Sequence, residues 1–322
     1  MLDVAAPLSF LKGYGDRADP VVALTWGVLL VSVVVIAIIA LLLGAAIGRR
    51  PGIAVQPPGT RLSLESPVGG QRWIWVGVGI STFVLLLSVL WTMQVLATVM
   101  SPAVPAALTI EITGHQWWWQ VRYLSDDPAL EFVTANEIRI PAGQPVRFRL
   151  IGGDVIHSFW VPALFGKTDL IPGQINTTWL EAHEPGVYLG QCTEYCGIEH
   201  AHMGFSVIAL PEQDFRAWWD EQLRSPAEPV TVPASAGKIA FTTHCGSCHA
   251  VRGTDAAGIL GPDLSHLMTR RNLAAGTLPN DSADLVRFIA DPQGVKPGSM
   301  MPRPDLSAGE LTDIHAYLAT LN

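Results

Sequence analysis

The chain has 322 residues, enough for two domains with separate cores, and its 49% hydrophobic residues and mean hydropathy of +0.32 are high for a soluble protein. The formal charge of −8 is concentrated in residues 101–236, where 7 Lys+Arg stand against 16 Asp+Glu. That acidity excludes nucleic acid, whose phosphates need Lys and Arg, and would steer a basic partner instead. Residues 1–20 read as an external arm and not as a signal peptide, because they carry Asp3, Asp16 and Asp19 and no apolar core of their own. Val21–Gly48 and Trp73–Val99 follow as uncharged apolar runs, each longer than the roughly 20 residues that cross ~30 Å of hydrocarbon. They predict a two-helix transmembrane hairpin over 21–100, with Trp26, Trp73, Trp75 and Trp91 near its interfaces. The connecting loop 49–72 holds Arg49, Arg50, Arg61 and Arg72 against Glu65. The excess of arginine places that loop in the cytoplasm, and both the arm and everything after residue 100 outside.

From residue 101 to 225 the pattern changes to short β-rich runs broken by Gly and Pro. Leu108–Ile112, Glu137–Ile140, Val146–Ile151, Thr177–Glu181 and Phe205–Leu210 predict an antiparallel sandwich or barrel. Pro211–Arg224 then predicts a helix, with Phe215, Trp218 and Leu223 at helical spacing. Residues 226–236 (PAEPVTVPASA) read as a linker. Fully extended at ~3.1 Å per residue it reaches about 34 Å, ample for a second domain, 237–322, to swing against the first.

All four cysteines fall in two close pairs, which points to ligation of a metal or cofactor more than to a disulfide framework. In the first pair, Cys192 and Cys196 are followed by His200 and Met203, with His157 upstream. Two thiolates, imidazole and thioether form a soft donor set that suits copper better than magnesium or calcium. Two coppers sharing both thiolates, each capped by one histidine, make a chemically complete site. The pair alone also admits a disulfide, a structural zinc held with two histidines, or a copper-delivery factor; the first two leave Met203 unexplained. In the second pair, Cys245-Gly-Ser-Cys248-His249 is a c-type haem attachment motif, although a thioredoxin-like redox pair also uses Cys-x-x-Cys. His202, His244, His266 and His315 have no motif behind them and read as solvated or hydrogen-bonded side chains.

The run Gly114–Met203 resembles the CuA domain of cytochrome c oxidase subunit II along nearly its whole length. The matching pieces are GHQWWW (114–119), TANEIRIPAG (134–143), DVIHSFWVP (154–162), GKTDLIPGQ (166–174) and PGVYLGQCTEYCGIEHAHM (185–203), together with the two preceding spans. The resemblance implies a cupredoxin-like β-barrel in which His157, Cys192, Cys196, His200 and Met203 bind copper. Glu194 would add its backbone carbonyl to copper and its carboxylate to a magnesium ion shared with subunit I. Trp117 matches the aromatic through which electrons arrive from cytochrome c. One departure stands out: many relatives carry a glutamate near the second span that feeds a proton channel, whereas Trp73–Val99 has no acid.

The last stretch resembles an all-α class I cytochrome c. Gly261-Pro262-Asp-Leu is similar to the segment whose proline carbonyl orients the proximal histidine, and Lys296-Pro-Gly-Ser-Met300-Met301-Pro302 matches the pattern in which the ligand methionine directly precedes proline, which favours Met301 over Met300. His/Met ligation suits electron transfer. The fusion resembles caa-type haem–copper oxidases. It implies electrons passing from an external donor (cytochrome c, another basic redox protein or a quinol–cytochrome complex) through one haem c and CuA to subunit I. There oxygen is reduced to water with proton translocation, at a bacterial inner membrane and alongside further subunits. The rival readings are the electron-accepting subunit of a copper-containing nitric oxide reductase, a membrane-tethered copper assembly factor, and a haem sensor.

Overall fold

The computed structural model describes residues 8–49 and 70–322. The chain forms two compact units, one of residues 20–101 and one joining the arm before Pro20 to Pro102–Asn322. The predicted hairpin is present as α1 (Asp19–Gly48) and α2 (Gly70–Met100). Both are long and apolar enough to cross a membrane, and their large apolar side chains point outward. Thr25, Ser32, Ser88, Thr92 and Thr98 each turn their hydroxyl onto the carbonyl four residues back, which satisfies the polar groups that hydrocarbon cannot. Most of the loop assigned to the cytoplasm, including Arg50, Arg61 and Glu65, lies outside the described residues, as does Asp3.

Beyond the hairpin the chain builds a cupredoxin-like sandwich. Its strands are β1 (Leu108–His115), β2 (Trp118–Leu124), β3 (Phe132–Ala135), β4 (Glu137–Pro141), β5 (Val146–Gly152), β6 (His157–Trp160), β7 (Thr168–Leu170), β8 (Ile175–Leu180), β9 (Gly186–Cys192) and β10 (Phe205–Leu210). One sheet runs β3-β2-β1-β5-β8 and the other β4-β10-β9-β6-β7. The pairs β1/β5 and β4/β10 are parallel, so hairpins alone do not make the sheets. Alternation in β1, β2 and β5 turns Ile110, Ile112, Trp119, Val121, Phe148 and Leu150 into one core with Phe159, Tyr188 and Phe205. All five strands expected from the sequence are present, with β8 beginning two residues earlier. The predicted helix is α3 (Glu212–Gln222), whose Phe215, Trp218 and Trp219 pack edge-on against Tyr123 and Phe132 or against one another.

The N-terminal arm is tied to the sandwich. Tyr14 N–H donates to the carbonyl of Ala163 at 2.9 Å, its carbonyl accepts from His183 N–H at 2.9 Å, and Arg17 donates to the carbonyl of Trp179 at 2.7 Å.

The C-terminal part holds α4 (Val232–His244), the short pair β11 (Asn272–Leu273) and β12 (Leu278–Pro279), then α5 (Ser282–Ala290), α6 (Pro292–Val295) and α7 (Ala308–Leu318). The helices at the two ends, expected from sequence, are α4 and α7, and they cross on Gly237. A Cβ there would lie 1.8 Å from the carbonyl oxygen of Asp313 and 2.9 Å from Tyr317 Cβ. Gly237→Val is therefore expected to pry the helices apart and destabilise this domain by about 1–3 kcal/mol or more, measured as a lower Soret-monitored melting temperature in the full chain.

The expected linker over 226–236 is shorter than the sequence reading. Thr231 caps α4 through its side chain, Pro233 sits in the first turn, and Val232–Ala236 is already helical. Proline and alanine looked like linker composition, yet proline is well suited to a first helical turn, where its missing N–H costs nothing. Nor is the second domain left to swing. Arg139 donates to the carbonyl of Thr269 at 3.0 Å, Arg252 to the carbonyl of Glu131 at 3.2 Å, and Arg271 N–H to the carboxylate of buried Glu137 at 2.6 Å.

Candidate electron-transfer site

The first thiol pair lies where β9 ends and the loop to β10 begins. Cys192 Sγ and Cys196 Sγ are 3.9 Å apart, and both residues are buried. His157, at the start of β6, places Nδ1 3.9 Å from Cys192 Sγ; His200 places Nδ1 3.5 Å and Met203 its Sδ 3.3 Å from Cys196 Sγ. The carbonyl of Glu194 is 3.2 Å from Cys192 Sγ. All six residues expected at copper thus come together, His157, Cys192, Cys196 and Met203 buried and Glu194 and His200 half-buried, although they belong to two separate stretches. The Glu194 carboxylate points away to the surface, 3.4 Å from Lys167 Nζ.

The protonation pattern fits a cation. Burial raises the Cys192 thiol, but hydrogen bonds from His157 and from the backbone outweigh it and its pKa is lowered. Burial and the neighbouring Cys192 push the Cys196 thiol well up. The first thiolate opposes the second, a conflict that a bound metal ion would remove by displacing both protons. His157 Nε2 lies 2.8 Å from the Asp154 carboxylate. That acceptor fixes the proton on Nε2 and leaves the Nδ1 lone pair facing the sulfurs. Asp154→Ala is expected to lower copper affinity by about 10–100-fold, measured by competition with a chelator. The thiols are free cysteines too far apart for an S–S bond.

The second pair opens on a cavity of about 250 Å³ lined by Cys245, Cys248, His249 and apolar side chains including Phe241, Leu267, Leu285, Phe288 and Leu318. His249 Nδ1 lies 2.8 Å from the carbonyl of Pro262. A carbonyl only accepts, so Nδ1 carries the hydrogen and Nε2 is left as a lone pair. Burial lowers the His249 pKa, keeping the ring neutral as a ligand must be. Close glycines shape the loop: a Cβ at Gly261 would meet His249 Cε1 at 2.6 Å, and one at Gly258 would meet the backbone of Cys248 at 2.3 Å. Met300 and Met301 both line the cavity, but Met300 is 77% exposed whereas Met301 is partly buried with its carbonyl held by Gln293 at 2.7 Å. Two free thiols, an imidazole lone pair, a thioether and an apolar wall fit a covalently attached haem.

Family models match both regions. The cytochrome c oxidase subunit II periplasmic domain matches residues 127–210, and cytochrome c matches residues 234–322. Cytochrome c oxidase subunit 2 of Alkalihalophilus pseudofirmus is 42% identical over 214 residues, which cover 66% of this chain and 60% of that one. Cytochrome c oxidase subunit 2 of Bacillus sp. (strain PS3) is 31% identical over 246 residues, covering 67% of this chain and 68% of the relative. The chain belongs to the cytochrome c oxidase subunit 2 family. Among solved structures, the periplasmic domain of subunit II of cytochrome oxidase (CoxB) of Bradyrhizobium japonicum is 34% identical, with a TM-score of 0.34 over 37% of this chain and 95% of that one.

In this member of the subunit 2 family the two sites are neighbours. Trp117, buried to 7% exposure, lines the cavity beside Cys245 and His249, and its indole Nε1 donates to the carbonyl of Cys196 at 3.1 Å. Gln116 lines the same cavity and donates to that carbonyl at 2.6 Å. Of the four histidines without a motif, His202 meets Glu199, His244 Glu310, His266 the carbonyl of the terminal Asn322 and His315 Ser282, although His244 also lines the haem cavity. The sequence reading gave no role to Gln116, Asp154 or Lys296. Gln116 and Asp154 stand inside the matching motifs and could have been found there. Lys296 also stands inside a matching motif, the run that ends in Met301-Pro302, but nothing local marks a lysine as buried.

Proposed function

We propose that the chain is the electron-accepting subunit of a terminal cytochrome c oxidase, taking electrons at a haem c on Cys245 and Cys248 and passing them through dinuclear copper to subunit I. The observation that carries this reading is Trp117, which borders the haem cavity on one side and hydrogen-bonds the copper loop at Cys196 on the other. Copper and haem supply one-electron chemistry when bound. The protein's part is to hold the ligands and exclude water. His157, Cys192, Cys196, His200, Met203 and the Glu194 carbonyl would hold copper; Cys245, Cys248, His249 and Met301 would hold haem, with the Pro262 carbonyl fixing the His249 ring.

The partly exposed Glu194 carboxylate, paired with Lys167, would exchange that partner for a magnesium ion shared with subunit I. The arm before α1 is bonded to the domain after α2, which supports a two-pass topology with both redox domains on the outer face of a bacterial inner membrane. Residues 101–225 form the copper domain and 237–322, extended to Val232 by α4, the cytochrome domain. In the assembled complex oxygen is reduced to water with proton translocation. The external donor meets the cytochrome, since the chain's own cytochrome covers Trp117.

Absorption and EPR spectra of the purified full-length protein test this. A purple mixed-valent dinuclear copper signal beside a low-spin c-type haem is the expected result. Haem alone, with zinc at Cys192 and Cys196, would return the chain to the assembly-factor class.

A further inference from the structure

Lys296 is a cytochrome-domain residue that ends inside the copper domain. It follows α6 and is 3% exposed. Its ammonium donates three hydrogen bonds, to the carbonyls of Trp117 at 2.5 Å, His202 at 2.7 Å and Ala274 at 3.1 Å. The three acceptors belong to three different pieces. Trp117 is in the turn between β1 and β2, His202 is in the loop between His200 and Met203, and Ala274 is in the turn of the β11/β12 pair, where its φ of 50° aims the backbone unusually. An ammonium has three donors, so this cage uses all of them. Burial lowers the Lys296 pKa to about 7, opposed by the nearby charges of Glu199 and Cys196, and the three carbonyls stand in for solvent around its amine.

The backbone around the cage is shaped for close approach. Gly298, at φ +77°, lies against the Trp117 ring and Ile198, and Gly204 faces Ala275 and Gly276 across the interface. A Cβ at Gly298 would fall 2.9 Å from Ile198 Cδ1, so a side chain there would press on the copper loop.

We infer that Lys296 is the positioning residue that docks the cytochrome domain on the copper loop, joining the Trp117 turn, the His200–Met203 loop and the β11/β12 turn into one rigid electron path. The inference rests on the relay reading above. It makes docking a property of one buried lysine that carries no electron. Removing it takes from the Trp117 carbonyl its buried donor and leaves the His202 and Ala274 carbonyls only the hydroxyl of Thr277, which loosens the contact between Trp117 and the haem cavity while neither ligand set is touched.

The test uses the full-length protein in its oxidase complex with Lys296→Met, which keeps the length of the stem. Expected are copper and haem spectra of wild-type form, haem-to-copper electron transfer slowed by about tenfold or more, and faster hydrogen exchange in residues 114–119, 200–204 and 272–276. A lysine that supports the ligand sets themselves would change the spectra as well. Should Lys296→Met fail to assemble, Lys296→Arg spreads its donors over three nitrogens and is expected to show a smaller slowing with the same exchange pattern. Wild-type transfer rates and exchange in a folded variant would overturn the inference. A wild-type protein without the dinuclear copper signal would overturn the relay instead, and the exchange data, which need no copper, would still decide the docking role.

Discussion

Cys196→Ser is expected to abolish the mixed-valent copper signal and, with it, electron delivery to the rest of the oxidase, while the haem spectrum stays as in the wild type. Cys196 is the centre of the donor set. Its sulfur is 3.9 Å from Cys192, 3.5 Å from His200 Nδ1 and 3.3 Å from Met203 Sδ, so it is the atom that both halves of the site share. A serine oxygen is hard and reluctant to ionise, and it replaces a soft bridging thiolate poorly. The substitution is nearly isosteric in a pocket walled by Trp119, which donates to the Met203 carbonyl at 2.8 Å, so loss of signal reports ligation and not unfolding. EPR and copper content on the purified protein, with Soret absorbance as the control, check it. Retention of a dinuclear signal would mean that Cys196 is not a bridge.

Trp117→Phe is expected to slow haem-to-copper transfer by about 10–100-fold, the range found when partners just outside a metal's ligands are removed. The change deletes the indole N–H that donates to the Cys196 carbonyl but keeps the backbone carbonyl that accepts from Lys296. It therefore separates the two roles that one residue plays: the ring couples to the copper loop and the main chain anchors the docked domain. Hydrogen exchange at the interface is expected to stay near wild type in Trp117→Phe, in contrast to Lys296→Met. Transient absorption after photoreduction of the haem gives the rate directly. An unchanged rate would show that electrons pass by another route, such as Gln116, which donates to the same carbonyl.

The ligand types were legible in the sequence because they are clustered. Cys192, Cys196, His200 and Met203 fall within twelve residues, and Cys245, Cys248 and His249 within five, so local spacing already restricts what they can hold. The transmembrane hairpin was legible for a similar reason, since an uncharged apolar run states its own environment. The five strands that alternate or carry β-branched residues were legible as well. The linker was not read correctly, because Pro-Ala-Ser composition is shared by flexible segments and by capped helix starts, and only Thr231 accepting from Ala234 N–H distinguishes them.

By itself the sequence determined the two long apolar helices, the sandwich class and the clustering of both candidate donor sets, all consequences of periodicity or short-range spacing. The tertiary structure alone decided how the two redox domains meet. Lys296 and Trp117 are 179 residues apart, and Arg271 reaches Glu137 across 134. Such contacts depend on the fit of two folded surfaces and on the cost of leaving buried carbonyls and charges unpaired, neither of which leaves a period or a motif in the chain.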